Sequence, residues 1–400
     1  MELINKMNYD IHEDNVIELS RNLNEPQWLL DLRLDALKRF NNTPLPSLRY
    51  SISVTTDVSR IRLDEINILN QINDGMKIDN KNIIVLSFTD ALKNDKYNEL
   101  IKKYFMSSIK NNKFTLLSKA VFGRGIFVYI PKNIEIGNSI HLNLDIKTDT
   151  QFDAILVIAE ENTKVDIIQT KSNNDKLFYS EIVEIYLKDN SKVNFSTIQN
   201  LSEESINLVT RKSNIDNDCE FNWVDCYLGS SFTLSDVTSM LNGKGSTSRN
   251  YSLFFGANKQ NFDLNFNTIH NAPNTTSDMF TKGALNNKSK AVCRGLVRIE
   301  QNANESNGYQ KEDTLLLSKD AEVDPIPNLE INNHNVRCTH GATVSQVDKE
   351  KLFYLKSRGL NNSEAMRIII DGFFEPFILR IENESLRNNL KNLIEAKPVW

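Results

Sequence analysis

Four hundred residues exceed what one compact core usually holds, so the chain should form two or three domains or one elongated body with attachments. With 40% hydrophobic and 25% charged residues it has the composition of a soluble globular protein, and 47 Lys plus Arg against 52 Asp plus Glu argue against a nucleic-acid binder that relies on neutralising phosphates. The start, MELINKMNYDIHEDNVIEL, carries acidic residues where a signal peptide needs a positive flank, and no run approaches the ~18 apolar residues of a membrane span, so a cytoplasmic protein is expected.

The first region, residues 1–115, reads as mainly helical. NEPQWLLDLRLDALKRF offers Asn24 as N-cap, Pro26 in the first turn and an apolar stripe of Leu29, Leu32, Ala36 and Phe40, ended by Pro44 and Pro46. NIIVLSF reads as a short buried strand, and TDALKNDKYNELIKKYF as a charged helix capped by Thr89 or Asp90. GRG at Gly123–Gly125 lacks the features of a nucleotide-binding loop and reads as a tight turn into IFVYIP.

From about residue 116 to 345 the periodicity changes. HLNLDI, DAILVIA, KVDIIQT, EIVEIYL, KVNFSTI and DLNFNTI alternate, or run in apolar and β-branched residues, as strands do. Polar corners separate them, and three look alike: ENTKVDI from Glu161, DNSKVNF from Asp189 and DNDCEFN from Asp216, spaced 28 and 27 residues apart. A repeat of that length suits the coil of a β-solenoid, although a two-sheet sandwich also accommodates such strands.

The last region, 346–400, is helical again. Asp348 and Glu350 suit a first turn, Leu352 and Leu355 an apolar side, and Gly359 a left-handed cap. In NNSEAMRIIIDGFFEPF, Asn361 and Glu364 form a capping box, and Met366, Ile369, Ile370, Phe373, Phe374 and Phe377 make one wide apolar stripe. ESLRNNLKNLIEA follows, with Leu386, Leu390, Leu393 and Ile394 on one side.

G-x-S-x-G and H-E-x-x-H are absent, and Cys219, Cys226, Cys293 and Cys338 form no C-x-x-C pair, so no hydrolase, zinc knuckle or disulfide scaffold is signalled. The local feature that stands out is RCTHGATV, where Cys338 and His340 share one face of a strand. Thiolate and imidazole suit iron and copper, and two such groups supply part of an open site.

AVCRGLVRIEQNA, DTLLLSKDAEVDPIPNLEI, CTHGATVSQVDKEKLFYLKSRGL and EAMRIIIDGFF resemble the SufB/SufD proteins of iron–sulfur cluster assembly, and NEPQWLLDLRLDALKRF and AVFGRGIFVYIPKN extend that resemblance over nearly the whole chain. It implies a right-handed parallel β-helix core flanked by helical N- and C-terminal regions. It also implies a non-enzymatic subunit of a complex with SufB and the ATPase SufC, or, less simply, a sole scaffold working as a homodimer with SufC. The scaffold type has a cysteine before its D-S-M-L-I run and a Glu in H-E-A-T; this chain has Glu312 and Gly341, and Thr170 and Lys171 where a further scaffold cysteine is expected. The SufD form is therefore implied. His340, with Cys338 beside it, is expected to contribute to a transient iron–sulfur cluster shared with SufB. The stripe from Met366 to Phe377 is expected to dock SufC, some of its side chains facing inward and others anchoring the ATPase. The residues do not specify a flavin.

Overall fold

The computed structural model describes residues 11–397 apart from 53, 59, 60, 64, 65, 74–77 and 81. Most of the N-terminal stretch considered for a leader, residues 1–10, lies outside them. No helix among the described residues is long and apolar enough to cross a membrane.

Helix α1 (Glu13–Asn22) precedes α2 (Gln27–Asn42). Asn24 does not cap α2; at φ 52° it ends α1 instead. Its N–H donates to the Arg21 carbonyl at 3.0 Å and the Glu25 N–H to that of Ser20 at 3.1 Å, a Schellman closure in which asparagine tolerates the left-handed backbone. Pro26 takes the N-cap place. The buried face of α2 is Leu29, Arg33, Ala36, Leu37 and Phe40, so it includes Arg33 where Leu32 was expected. The Arg33 guanidinium is satisfied by Glu25 at 2.6 Å and by the Ala120 and Phe122 carbonyls.

Two short ribbons, β1 (Leu48–Arg49) with β2 (Thr55–Thr56) and β3 (Ile78–Asn80) with β4 (Ile83–Ser87), lead to α3 (Phe88–Ala91), α4 (Asp95–Tyr104) and α5 (Lys113–Val121). The single helix expected after the strand is thus two. Their caps are Ser87, accepting from the Asp90 N–H at 3.1 Å, and Asn94, accepting from the Tyr97 N–H at 3.3 Å, rather than Thr89 or Asp90. Gly123 and Gly125 make no left-handed turn; Gly125 lies within the next strand, where the Phe88 ring occupies the space a β-carbon would need.

Sixteen strands then follow in succession: β5 (Arg124–Ile130), β6 (Ile140–Asp145), β7 (Thr150–Ala159), β8 (Lys164–Ser172), β9 (Phe178–Leu187), β10 (Lys192–Asn200), β11 (Ile206–Ile215), β12 (Glu220–Tyr227), β13 (Phe232–Leu241), β14 (Thr247–Gly256), β15 (Asn261–His270), β16 (Thr276–Leu285), β17 (Lys290–Ile299), β18 (Asn307–Leu316), β19 (Glu322–Ile331) and β20 (Arg337–Gln346). Each pairs in parallel with the strand two places on, which excludes the sandwich and builds a solenoid of two facing sheets. The even strands form one sheet of eight. The odd strands, extended antiparallel by β4 and β3, form one of ten.

The repeated corners are where the coils turn. Asn162 and Asn190, 28 residues apart, and then Asp218 adopt positive φ and stack, and the Asn190 amide donates to Asn162 at 2.7 Å. Lys164, Lys192 and Glu220 share a rung, so Asp216 lies level with Lys188 and the third corner is displaced by one residue from the spacing read in the sequence.

Between the sheets lies a core rich in Val, Ile, Leu and Phe. The outer face of the odd sheet is covered by α1–α5. That of the even sheet is covered by α7 (Asn362–Ile378) and α8 (Glu384–Glu395), which follow α6 (Lys349–Ser357). With both faces buried, strands such as β7 read as nearly unbroken apolar runs. The capping box at Asn361 and Glu364, and the left-handed Gly359 at φ 97°, are as expected. Leu352 and Leu355 are only half-buried, and no residue of α6 is buried.

Candidate functional site

The solenoid has an open end. β19 and β20 terminate their sheets, and nearly every residue of β20 is exposed. The Arg337 N–H donates to the Ser306 carbonyl at 3.0 Å. By the alternation of a parallel ladder, the backbone groups of Cys338, His340, Ala342 and Val344 therefore face away from β18, toward the unpaired edge. Ten residues of unpaired strand form a template for another chain unless something covers them.

The same four residues turn their side chains toward the lumen, because each is level with an inward residue of β18: Gly308, Gln310, Glu312 or Thr314. Cys338 packs half-buried against the core, its Sγ over Gly308, where a β-carbon would come within 3.0 Å of it. Burial pushes its thiol up to about 11. His340 is exposed at the mouth, one rung position away, followed by Gly341, whose surroundings are empty. Cys338 and His340 thus sit side by side at the open end. Among the described residues no three His, Cys, Asp or Glu side chains converge as a ready metal site, so any ligand set here has to be completed from elsewhere.

One coil deeper the lumen is polar. Gln310, Glu312 and Thr314 are buried, and each has a side-chain oxygen without a hydrogen-bond partner among the described residues. The Glu312 carboxyl lies against the Cys293 thiol of the facing strand β17, and burial pushes it up to about 8. In the sequence Glu312 stands out only as a departure from cysteine, and nothing local marks Cys293 or Gln310. The available signal is the inward parity of Q-x-E-x-T on one strand.

This acid sets a pH dependence. A carboxyl near 8 in the fold and near 4.3 when unfolded favours folding fully below 4.3, and that contribution is lost as pH rises through 8. Glu312→Gln does not titrate, so in chelator it should gain on the wild type by up to about 5 kcal/mol between pH 4 and pH 8, at about 1.4 kcal/mol per unit. Denaturation midpoints of both proteins at several pH values test this; parallel profiles would contradict it.

Farther toward the N-terminal end, the lumen holds a charged chain. Arg124 pairs with Asp153 at 2.6 Å, Tyr179 lies 2.8 Å from Asp153 and 3.0 Å from Glu181, and Glu181 meets Lys171 at 3.3 Å and Arg211 at 2.8 Å. Arg211 also pairs with Asp225. Burial alone would raise the Glu181 carboxyl, but Lys171 and Arg211 outweigh it and hold the group at about 2.

The C-terminal helices divide the expected partner surface. Ile370, Phe374 and Phe377 are fully buried against the even sheet, packing with residues such as Leu253, Phe255 and Phe280. These three cannot anchor a partner while α7 stays docked. Met366, Ile369 and Phe373 are only partly buried. Ile369 and Phe373 line a groove between α6 and α7 together with Tyr354, Leu355 and Ile368. Phe353, 74% exposed, stands on α6, a residue that no stripe in the sequence marks.

Residues 142–373 match the family described as "SUF system FeS cluster assembly, SufBD core domain". The chain is 30% identical, over 420 aligned positions, to an iron–sulfur cluster assembly SufBD family protein of Staphylococcus epidermidis, covering 93% of this chain and 90% of the relative. A relative of the same description from Staphylococcus haemolyticus shows the same identity and coverage. One from Staphylococcus aureus is 30% identical over 419 positions, again with 93% and 90% covered.

Proposed function

Because this chain belongs to the SufBD family of iron–sulfur cluster assembly proteins, we propose that it is the SufD-type subunit, joining SufB through the open end of its solenoid and the ATPase SufC through its C-terminal helices. The observation that carries this reading is the uncovered β20 edge, with Cys338 and His340 on it. A partner strand laid along that edge would pair the backbone groups of Cys338, His340, Ala342 and Val344. It would also bring its own ligands to the mouth where His340 stands. A transient cluster, here the cargo, would then be held between two chains, with a thiolate from SufB and an imidazole from this one. Such a shared site opens when the chains part. Gly341 and Glu312, in place of the scaffold residues, favour SufD over SufB and disfavour a sole-scaffold homodimer. The groove at Tyr354, Ile368 and Phe373 is the surface we assign to SufC. Movement of the ATPase would be transmitted through α7 to the solenoid beneath.

Two substitutions test the shared site. His340→Ala changes an exposed side chain and should alter stability by no more than about 0.5 kcal/mol, yet the purified complex should lose most of its iron and acid-labile sulfide while keeping SufB and SufC. Normal loading would make His340 a bystander. Ala342→Pro removes an N–H that faces the unpaired edge and leaves the ladder to β18 intact, so the chain should fold but fail to co-elute with SufB. Undiminished co-elution would place the interface elsewhere.

A further inference from the structure

The lumen coil beneath the mouth carries more polar chemistry than packing explains. Glu312 is 4% exposed and its Oε1 has no hydrogen-bond partner among the described residues; the same holds for Gln310 Oε1, on the same inward face. Across the lumen the Cys293 thiol meets the Glu312 carboxyl. The Gln310 amide reaches the same strand, lying over Gly295 where any β-carbon would collide with it. A carboxyl and a thiol therefore meet in one buried place, with the Gln310 amide two residues along the same inward face, and Glu312 and Gln310 each keep an oxygen with unused acceptor capacity. Native interiors rarely leave such groups unsatisfied without a reason.

We propose that Glu312, Cys293 and Gln310 form a binding site for a single borderline divalent cation, of the class of ferrous iron or cobalt, inside the lumen and one coil below His340. Mixed sulfur and oxygen donors suit that class better than magnesium or calcium. Binding would break the S–H bond of Cys293 and the O–H bond of Glu312 and form metal–sulfur and metal–oxygen bonds, with two protons leaving for solvent. A dication with one thiolate and one carboxylate is neutral, which removes the penalty of burying either anion alone. The way in is the open end, where the small Ala342 lies level with Glu312. This site lies outside the cluster reading and does not depend on a partner chain.

The test uses the full-length chain alone, reduced, anaerobic and stripped with chelator, titrated with Co(II). A thiolate-to-cobalt absorption band should saturate at one equivalent. Cys293→Ser should abolish the band, and Glu312→Gln should weaken binding by roughly tenfold or more. His340→Ala and Cys338→Ser should retain it. No thiolate band in the wild type overturns the proposal, as does a band that survives Cys293→Ser. A band lost with Cys338→Ser and kept with Cys293→Ser puts the cobalt at the mouth and overturns it equally. Should Cys293→Ser fail to fold, Glu312→Gln, nearly identical in shape, decides: wild-type affinity there ends the idea.

Discussion

Replacing Arg211 with alanine should destabilise the protein by about 3 to 5 kcal/mol, a large part of the 5–15 kcal/mol that holds a typical domain folded. Arg211 is 1% exposed and joins Glu181 to Asp225, with the rings of Phe195 and Trp223 each 5.7 Å from its guanidinium. Without it two buried carboxylates share a lumen with Lys171 as the nearby cation. The penalty comes from stranding charges rather than from losing a favourable pair. Changing Arg211, Glu181, Asp225 and Lys171 together to apolar residues of similar volume should therefore restore most of the loss. Chemical denaturation of the two variants separates the explanations. A cost below about 1 kcal/mol for Arg211→Ala would mean that the lumen admits enough water to solvate the carboxylates.

Truncation after Gly359 should yield aggregated protein rather than a folded solenoid lacking one partner. Ile370, Phe374, Phe377, Leu386, Leu390 and Ile394 would all be removed from the even sheet. Six side chains at about 1.5 to 3 kcal/mol each carry on the order of 10 kcal/mol, comparable with the stability of the whole chain. Ile168, Ile198, Val224 and Phe255 would be left facing water. Partner binding is better probed at Tyr354 and Ile368, both exposed and lining the groove, where Ser substitutions should reduce SufC affinity with little change in folding. A soluble, cooperatively unfolding truncation would show that the solenoid stands without its C-terminal cover.

The solenoid was legible because each coil repeats one physical problem, a tight polar corner between two apolar strands, and Glu161 and Asp189 mark that corner in nearly the same words. The third match slipped by one residue because DND offers two adjacent places for the turn, and the backbone uses Asp218. Helix ends were harder to read. Asn24 suits the end of one helix as well as the start of the next, and Ser87, Thr89, Asp90 and Asn94 all carry capping oxygens within eight residues. Strand parity was enough to put Cys338 and His340 on one face, but not to show that this face ends in an open mouth. The apolar stripe of α7 looks the same whether it meets a sheet of its own chain or a foreign protein, so the inward set of Ile370, Phe374 and Phe377 could be separated from the rest only by the packing. Glu312 and Cys293 lie on consecutive strands and meet only because those strands belong to facing sheets whose inward side chains share the lumen.

The two ends of the solenoid differ, and that difference limits how many copies can join. At the first coil the odd sheet continues through β4, antiparallel to β5, and the short β3, antiparallel to β4, the N-terminal helices pack alongside, and the even sheet ends at the six-residue β6. At the last coil both sheets stop unpaired among the described residues. The ten-residue edges of the last coil therefore meet only a six-residue and a three-residue edge at the other end, a mismatch in length that disfavours head-to-tail stacking of copies relative to pairing end to like end.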